Sequence, residues 1–286
     1  MRKSERNLFM AAVVMAVLCV SNIWAAALMS ESFEYELGEL AGNDGGIGWG
    51  GAWTMTDPDG TATVVEGLSF SDYQVSGNAA RITMTSNDGF ADAIARRAVG
   101  INVTSGDLWV SFLYAQPDAP LASVASRTAS IRHGLKLRMK PKNSGSQGVA
   151  VDYGAGAAAS GGWNVQSGET FMMVTRFADL GQATGGEATM WVLSESHYDQ
   201  IKAGGITVEE LIAVHALAPS APHSNRTLTT DDFVNMLVAD SSNTSFSAVF
   251  DELNYGASLS DVVVPEPTTM LMFGFGMTGV FLKRKK

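Results

Sequence analysis

Cysteine is almost missing from this chain of 286 residues: Cys19 is the one thiol, and it lies in an apolar stretch near the N-terminus. If that stretch is a removable leader, the rest of the protein has no disulfide, no thiol catalysis and no cysteine-ligated metal. Charge is sparse too, at 17% Asp, Glu, Lys and Arg, and leans acidic, with a formal net charge of -10. The leader carries about +2 and the C-terminal tail about +3, leaving roughly -15 on the residues between them. Such a body argues against nucleic acid or an anionic membrane surface as partner, and is compatible with solubility, divalent cations or neutral glycans. The four histidines, His133, His197, His215 and His223, lack zinc-ligand spacing. No apolar run reaches the roughly 20 residues of a comfortable membrane-crossing helix. Glycine, by contrast, is abundant at 30 residues, which suits short strands joined by turns.

Both ends read as addresses. Arg2, Lys3 and Arg6 precede an apolar stretch, Leu8 to Val20, and a small-residue site, Ala25-Ala26-Ala27. This order predicts a signal peptide over 1–27, cut after Ala27 by signal peptidase. Leu18 stands before Cys19 where a lipobox wants a small residue, so lipidation is not expected. At the other end Pro265-Glu266-Pro267 is followed by an uncharged segment bearing Met270, Leu271, Phe273, Phe275, Val280 and Leu282, then by Lys283, Arg284, Lys285 and Lys286. The prolines hold the triad extended and display Glu266. The apolar segment is a marginal transmembrane helix, and the terminal cations extend its reach and favour the cytoplasmic side. These three parts in this order resemble the PEP-CTERM sorting signal of exopolysaccharide-producing Gram-negative bacteria. The resemblance implies that residues 265–286 form a sorting signal recognised by exosortase. The protein is then expected to be held briefly in the inner membrane and passed to the cell surface or extracellular matrix.

Between the ends, 28–264 reads as one all-β domain. Strand-length apolar or alternating runs occur at Ala62 to Val65, Ala80 to Thr85, Ala93 to Val99, Leu108 to Ala115, Gly134 to Met139, Val149 to Tyr153, Phe171 to Phe177, Ala188 to Leu193 and Ser245 to Leu253. The nearly continuous apolar run from Leu108 to Tyr114 predicts a central strand buried on both faces. Arg132 to Lys140 predicts a half-solvated strand, with Arg132, Lys136, Arg138 and Lys140 on its wet face. Two helices are expected before the last strand: Thr207 to Leu217, opened by a Thr207/Glu210 capping box, and Thr230 to Ala239, with Asp231 and Asp232 in its first turn. Gly42 to Gly51 reads as loop around Trp49.

The opening Ser32-Phe33-Glu34-Tyr35, the glycine-tryptophan stretch Gly45 to Trp53, the late Ala188-Thr189-Met190-Trp191-Val192 and the closing Phe250 to Gly256 are similar to concanavalin A-like, laminin-G-type sandwiches. That resemblance implies a two-sheet antiparallel jelly roll with first and last strands adjacent. Glycosidases on such a fold carry paired carboxylates as Glu-x-Asp-x-x-Glu, and no such run exists here. Asp251 and Glu252 are neighbours, so regular strand geometry points them to opposite faces. Asp251 is expected to bind backbone or fix a turn, and Glu252 to be exposed or paired with arginine. No active site and no cofactor follow, and the alternative of a divergent polysaccharide hydrolase or lyase would need a constellation that the sequence does not announce. Trp49, Trp53 and Trp163 either stack on sugar faces, with Asn43, Asp44 and Asp57 as polar contacts, or plug the ends of the sandwich. Asp57-Pro58-Asp59-Gly60 is first a turn and second a weak calcium candidate.

Overall fold

The computed structural model describes residues 27–56, 60–73, 75–84, 91–117, 128–133, 137–142, 150–152, 159–160, 168–203, 226–240 and 246–263. The first strands are β1 (Met29–Glu31), β2 (Gly38–Glu39), β3 (Thr54–Met55), β4 (Gly60–Glu66), β5 (Asn78–Met84), β6 (Ala91–Ala98) and β7 (Gly106–Ala115). They are followed by β8 (Thr128–His133), β9 (Leu137–Lys142), β10 (Ala150–Asp152), β11 (Ala159–Ser160), β12 (Thr170–Leu180) and β13 (Glu187–Leu193). Helix α1 (Glu195–Lys202), strands β14 (Phe233–Asp240) and β15 (Phe246–Gly256), and helix α2 (Leu259–Val263) complete the order.

Two antiparallel sheets result. One runs β13-β12-β7-β15-β5-β4-β2, and β1 adds to the second half of β15 beside it. The other runs β11-β10-β9-β8-β14-β6-β3. The first strand thus pairs with the last, Met29 opposite Tyr255 and Glu31 opposite Leu253. A single apolar core joins the sheets, with Val110, Phe112, Phe177, Met190 and Phe250 from one meeting Ala95, Ile131, Met139, Met236 and Val238 from the other.

β7 shows why alternation fails as a guide here. Leu108, Val110, Phe112 and Tyr114 face the inter-sheet core, while Trp109 and Leu113 belong to a second apolar cluster on the outer face with Phe70, Tyr73, Trp191, Tyr198, Val262 and Val263. The 68–75 segment, α1 and α2 cover that face, so β7 is central and buried on both sides, as its continuous apolar run predicts. Ser111 serves the outer layer by donating from Oγ to the carbonyl of Val262.

Two expectations are corrected. Residues 233–240 form a strand, not the second half of a helix: Val234, Met236 and Val238 alternate into the core, and β14 lies between β6 and β8. The two aspartates that resembled a helix start instead close a turn, where Asp232 accepts from the Thr229 N–H and hydroxyl. The span from Arg132 to Lys140 is not one strand, because β8 and β9 are antiparallel partners with His133 opposite Leu137 and Arg132 opposite Arg138. A helix not foreseen, α1, starts where the carbonyl of Ser194 accepts from the N–H groups of His197 and Tyr198. The expected helix at Thr207 to Leu217, the signal helix and the apolar C-terminal segment lie outside the described residues. Among the described residues no helix is long and apolar enough to cross a membrane.

Candidate functional site

The glycine-tryptophan opening folds around a buried cation. Arg97 leaves β6 towards the 42–53 segment and is 1% exposed. Its Nε donates to the Gly51 carbonyl at 2.6 Å, and one terminal nitrogen donates to Asp44 and to the Gly45 carbonyl, both at 2.7 Å. The other donates to Glu31 and to the Tyr35 hydroxyl. All the guanidinium nitrogens are therefore engaged. Glu31 is as buried as Arg97, and also accepts from the Phe33 N–H, the Tyr35 hydroxyl and the Trp53 indole N–H.

Trp53 is consequently an end plug. It is 1% exposed, stacks on Phe33 at 5.9 Å and leaves no face for a sugar. Trp49 is half-buried between Trp53, Tyr255 and the Arg97 guanidinium, and its indole donates to the Ser30 carbonyl. Gly46 makes that approach possible: its φ is +67°, and a Cβ there would meet the Ser30 carbonyl and the Trp49 ring. Asn43 donates to the Glu39 carbonyl and Asp44 pairs with Arg97, so both proposed polar contacts are used within the loop. Trp163, Asp57 and Asp59 lie outside the described residues, as do Pro265, Glu266, Pro267 and the tail beyond them.

The closing strand holds the second cluster. A bulge interrupts the β15–β7 ladder between Asp251 and Asn254, and Glu252 sits at φ 48°. Before the bulge Phe246, Ala248 and Phe250 face the core; after it Leu253 and Tyr255 do. The extra residue overturns the opposite-faces expectation. Both carboxylates address the 67–77 segment, Asp251 accepting from the Leu68 N–H at 2.8 Å and Glu252 from the Ser76 N–H at 2.7 Å. Glu252 is buried and bound to backbone, neither exposed nor paired with arginine. Burial, together with the Glu252 charge and against the Leu68 hydrogen bond, raises the Asp251 pKa to about 8. Burial also raises that of Glu252. Asn254 donates to the Tyr73 hydroxyl beside them. The pair is a fastening for a loop, and both acids accept from N–H groups that a substrate would have to displace.

His133 is a core histidine, 2.9 Å from the Tyr255 hydroxyl and edge-on to Phe177. An open polar cleft of about 490 Å3 lies between Ser69, Glu169, Thr170, Ser194 and Glu195, where Glu195 accepts from the Ser71 N–H. Among the described residues no group of three or more His, Cys, Asp or Glu is placed to hold a metal ion.

The body is thus a two-sheet antiparallel sandwich whose sequence runs on into a proline-flanked acid, an apolar stretch and a basic end. A family model described as the PEP-CTERM protein-sorting motif matches residues 263–286, so the chain carries that motif at its C-terminus. No curated protein matches the chain in sequence. Among solved structures, cellulose induced protein Cip1 is similar at 10% identity and TM-score 0.44, over 72% of this chain and 91% of that one. The carbohydrate recognition domain of Emp47p is similar at 10% identity and TM-score 0.40, over 81% and 98%. Alginate lyase AlgAT5 from polysaccharide lyase family 7 is similar at 11% identity and TM-score 0.40, over 72% and 94%. At scores this low the likenesses carry no inference about ligand or activity.

Proposed function

We propose that this is an exported protein of the cell surface or extracellular matrix, retained in the inner membrane by its tail until exosortase acts at Pro265-Glu266-Pro267. Its body, read as a concanavalin A-like jelly roll, is a structural or glycan-binding module and not an enzyme. The observation that carries this reading is the sorting motif over 263–286. The end of the described body is compatible with it: Val262 and Val263 are buried in the outer cluster, two residues before the triad. The engagement of Asp251 and Glu252 by backbone N–H groups supports the non-catalytic reading.

Mass spectrometry of surface-extracted protein tests the proposal. The expected C-terminal peptide ends at or before the triad, and a Pro265→Ala/Pro267→Ala variant stays with the membrane fraction as full-length chain. Recovery of Lys283 to Lys286 on the surface form would sink the sorting reading.

A further inference from the structure

Between β4 and β5 the chain makes a long excursion, 67–77, whose base is closed by the pairing of Glu66 with Asn78. Among the described residues its backbone-to-backbone hydrogen bonds are internal, from the Tyr73 N–H to the Phe70 carbonyl and from the Val75 N–H to the Tyr73 carbonyl. Side chains tie this strap to the rest of the body, and four of them are acids. Asp251 accepts from the Leu68 N–H and Glu252 from the Ser76 N–H and hydroxyl, while Glu195 and Asp199 of α1 accept from the Ser71 N–H and hydroxyl. Asn254 adds a bond to the Tyr73 hydroxyl. Phe70 and Tyr73 anchor the strap on Tyr198, at 5.7 and 5.5 Å between ring centres. Ser71 in the strap and Glu252 beneath it both have a φ of 48°, a conformation that a non-glycine residue keeps only while its surroundings enforce it.

Asp251 and Glu252 are 0% and 7% exposed, and no cation pairs with either among the described residues. The groups facing them carry negative charge or none. Tyr73 faces both from the strap, and Glu31 and Glu34 face Glu252 from the start of the body. Asp72, Glu195 and Asp199, further along the strap and on α1, are acids again. On β5 Arg81 stands opposite Val249, two residues before Asp251, and it forms no ion pair among the described residues. Neighbouring carboxylates buried without a counter-charge resist double ionisation, so one of them keeps a proton. In keeping with this, burial raises the Asp251 pKa to about 8, with the Glu252 charge adding to the rise.

We infer that the 67–77 strap is a pH-operated cover on the outer apolar cluster, shut while Asp251 and Glu252 hold a proton between them and released as that proton leaves. Opening hydrates both acids and returns Asp251 towards the ordinary carboxylate range, so the open form binds one proton fewer. Between an ordinary value of 3.8 and about 8 the opening constant therefore rises with pH, by at most about tenfold per unit. The paired base, Glu66 with Asn78, acts as the hinge, and the side of the cluster where Phe70 and Tyr73 meet Tyr198 is uncovered.

Hydrogen exchange of the full chain in nonionic detergent, read by mass spectrometry at pH 5 and pH 8 and corrected for intrinsic rates, tests this. Protection of peptides from 67–77 is expected to fall at least about tenfold between the two, while peptides from β7 and β12 keep theirs. Asp251→Asn retains an acceptor for the Leu68 N–H and cannot titrate, so it should flatten the fall. Glu252→Gln, which removes the charge that helps hold the Asp251 proton, should lessen it. Thermal melting reports whether each variant folds; if neither does, the wild-type profile decides alone. Strap protection that does not change with pH, a fall shared equally by β7, or an undiminished fall in a folded Asp251→Asn would overturn the inference.

Discussion

Taking away the Arg97 side chain strands Glu31 inside the sandwich with its negative charge and frees the carbonyls of Gly45 and Gly51. Breaking a buried ion pair from one side costs about 3–5 kcal/mol, and Arg97→Ala is expected to lower stability by that order in urea titrations. Asp251 gives a different signature. Its carboxyl binds a proton more tightly in the folded protein than in the unfolded chain, with a folded pKa of about 8 against an ordinary 3.8. The native state therefore holds more protons between those values. The contribution of Asp251 is complete below the unfolded value and is lost as pH rises through 8. Asp251→Asn keeps an acceptor for the Leu68 N–H and removes the titration. Its melting temperature should decline less than that of the wild type between pH 5 and pH 8, and an unchanged slope would clear Asp251 of the effect. That Asp251 binds backbone was legible in sequence; its raised pKa and the pairing of Arg97 with Glu31 were not. Arg97 reads as one of two adjacent arginines, and nothing in Arg96-Arg97 says which one is buried; the strand's parity, set by Ala93 and Ala95 in the core, decides.

Among the elements, α2 is five residues long yet closes the outer cluster with Val262 and Val263. Too short to be stable alone, it depends on those contacts. Val262→Ala and Val263→Ala should each cost about 2 kcal/mol, read as a shift of the denaturation midpoint. Long strands with clear patterns were the legible elements: Leu108 to Ala115 and Ala188 to Leu193 fall within β7 and β13. β14 was misread because Phe233, Met236 and Leu237 also satisfy helical spacing. Ten residues with acids at the front suit either form until a sheet supplies partners on both sides, as β6 and β8 do. α1 had a usable signal in Ser194-Glu195, a capping residue followed by a first-turn acid. The bulge at Glu252 had none, since a non-glycine residue in the left-handed region is set by the tertiary contacts that over-determine it.

For the whole molecule, the parts that address it and the parts that fold it are written in different codes. The sorting motif is local, a run of residue types in order, and a reader of the sequence meets it complete. Body and site are non-local. Trp53 looks like a sugar platform beside its glycines, and becomes an end plug only because Glu31 and Arg97, 22 residues before and 44 after it, converge on it.

The pairing of β1 with β15 has a consequence for the order of events. A chain delivered N-terminus first keeps Met29 to Glu31 waiting for Leu253 to Tyr255, more than two hundred residues later. Such distant closure makes folding slow. The sandwich is sealed only when nearly all of the chain has been made, just as the apolar tail emerges. If the tail acts as the proposed membrane tether, holding the chain during that interval gives the last strand time to find the first.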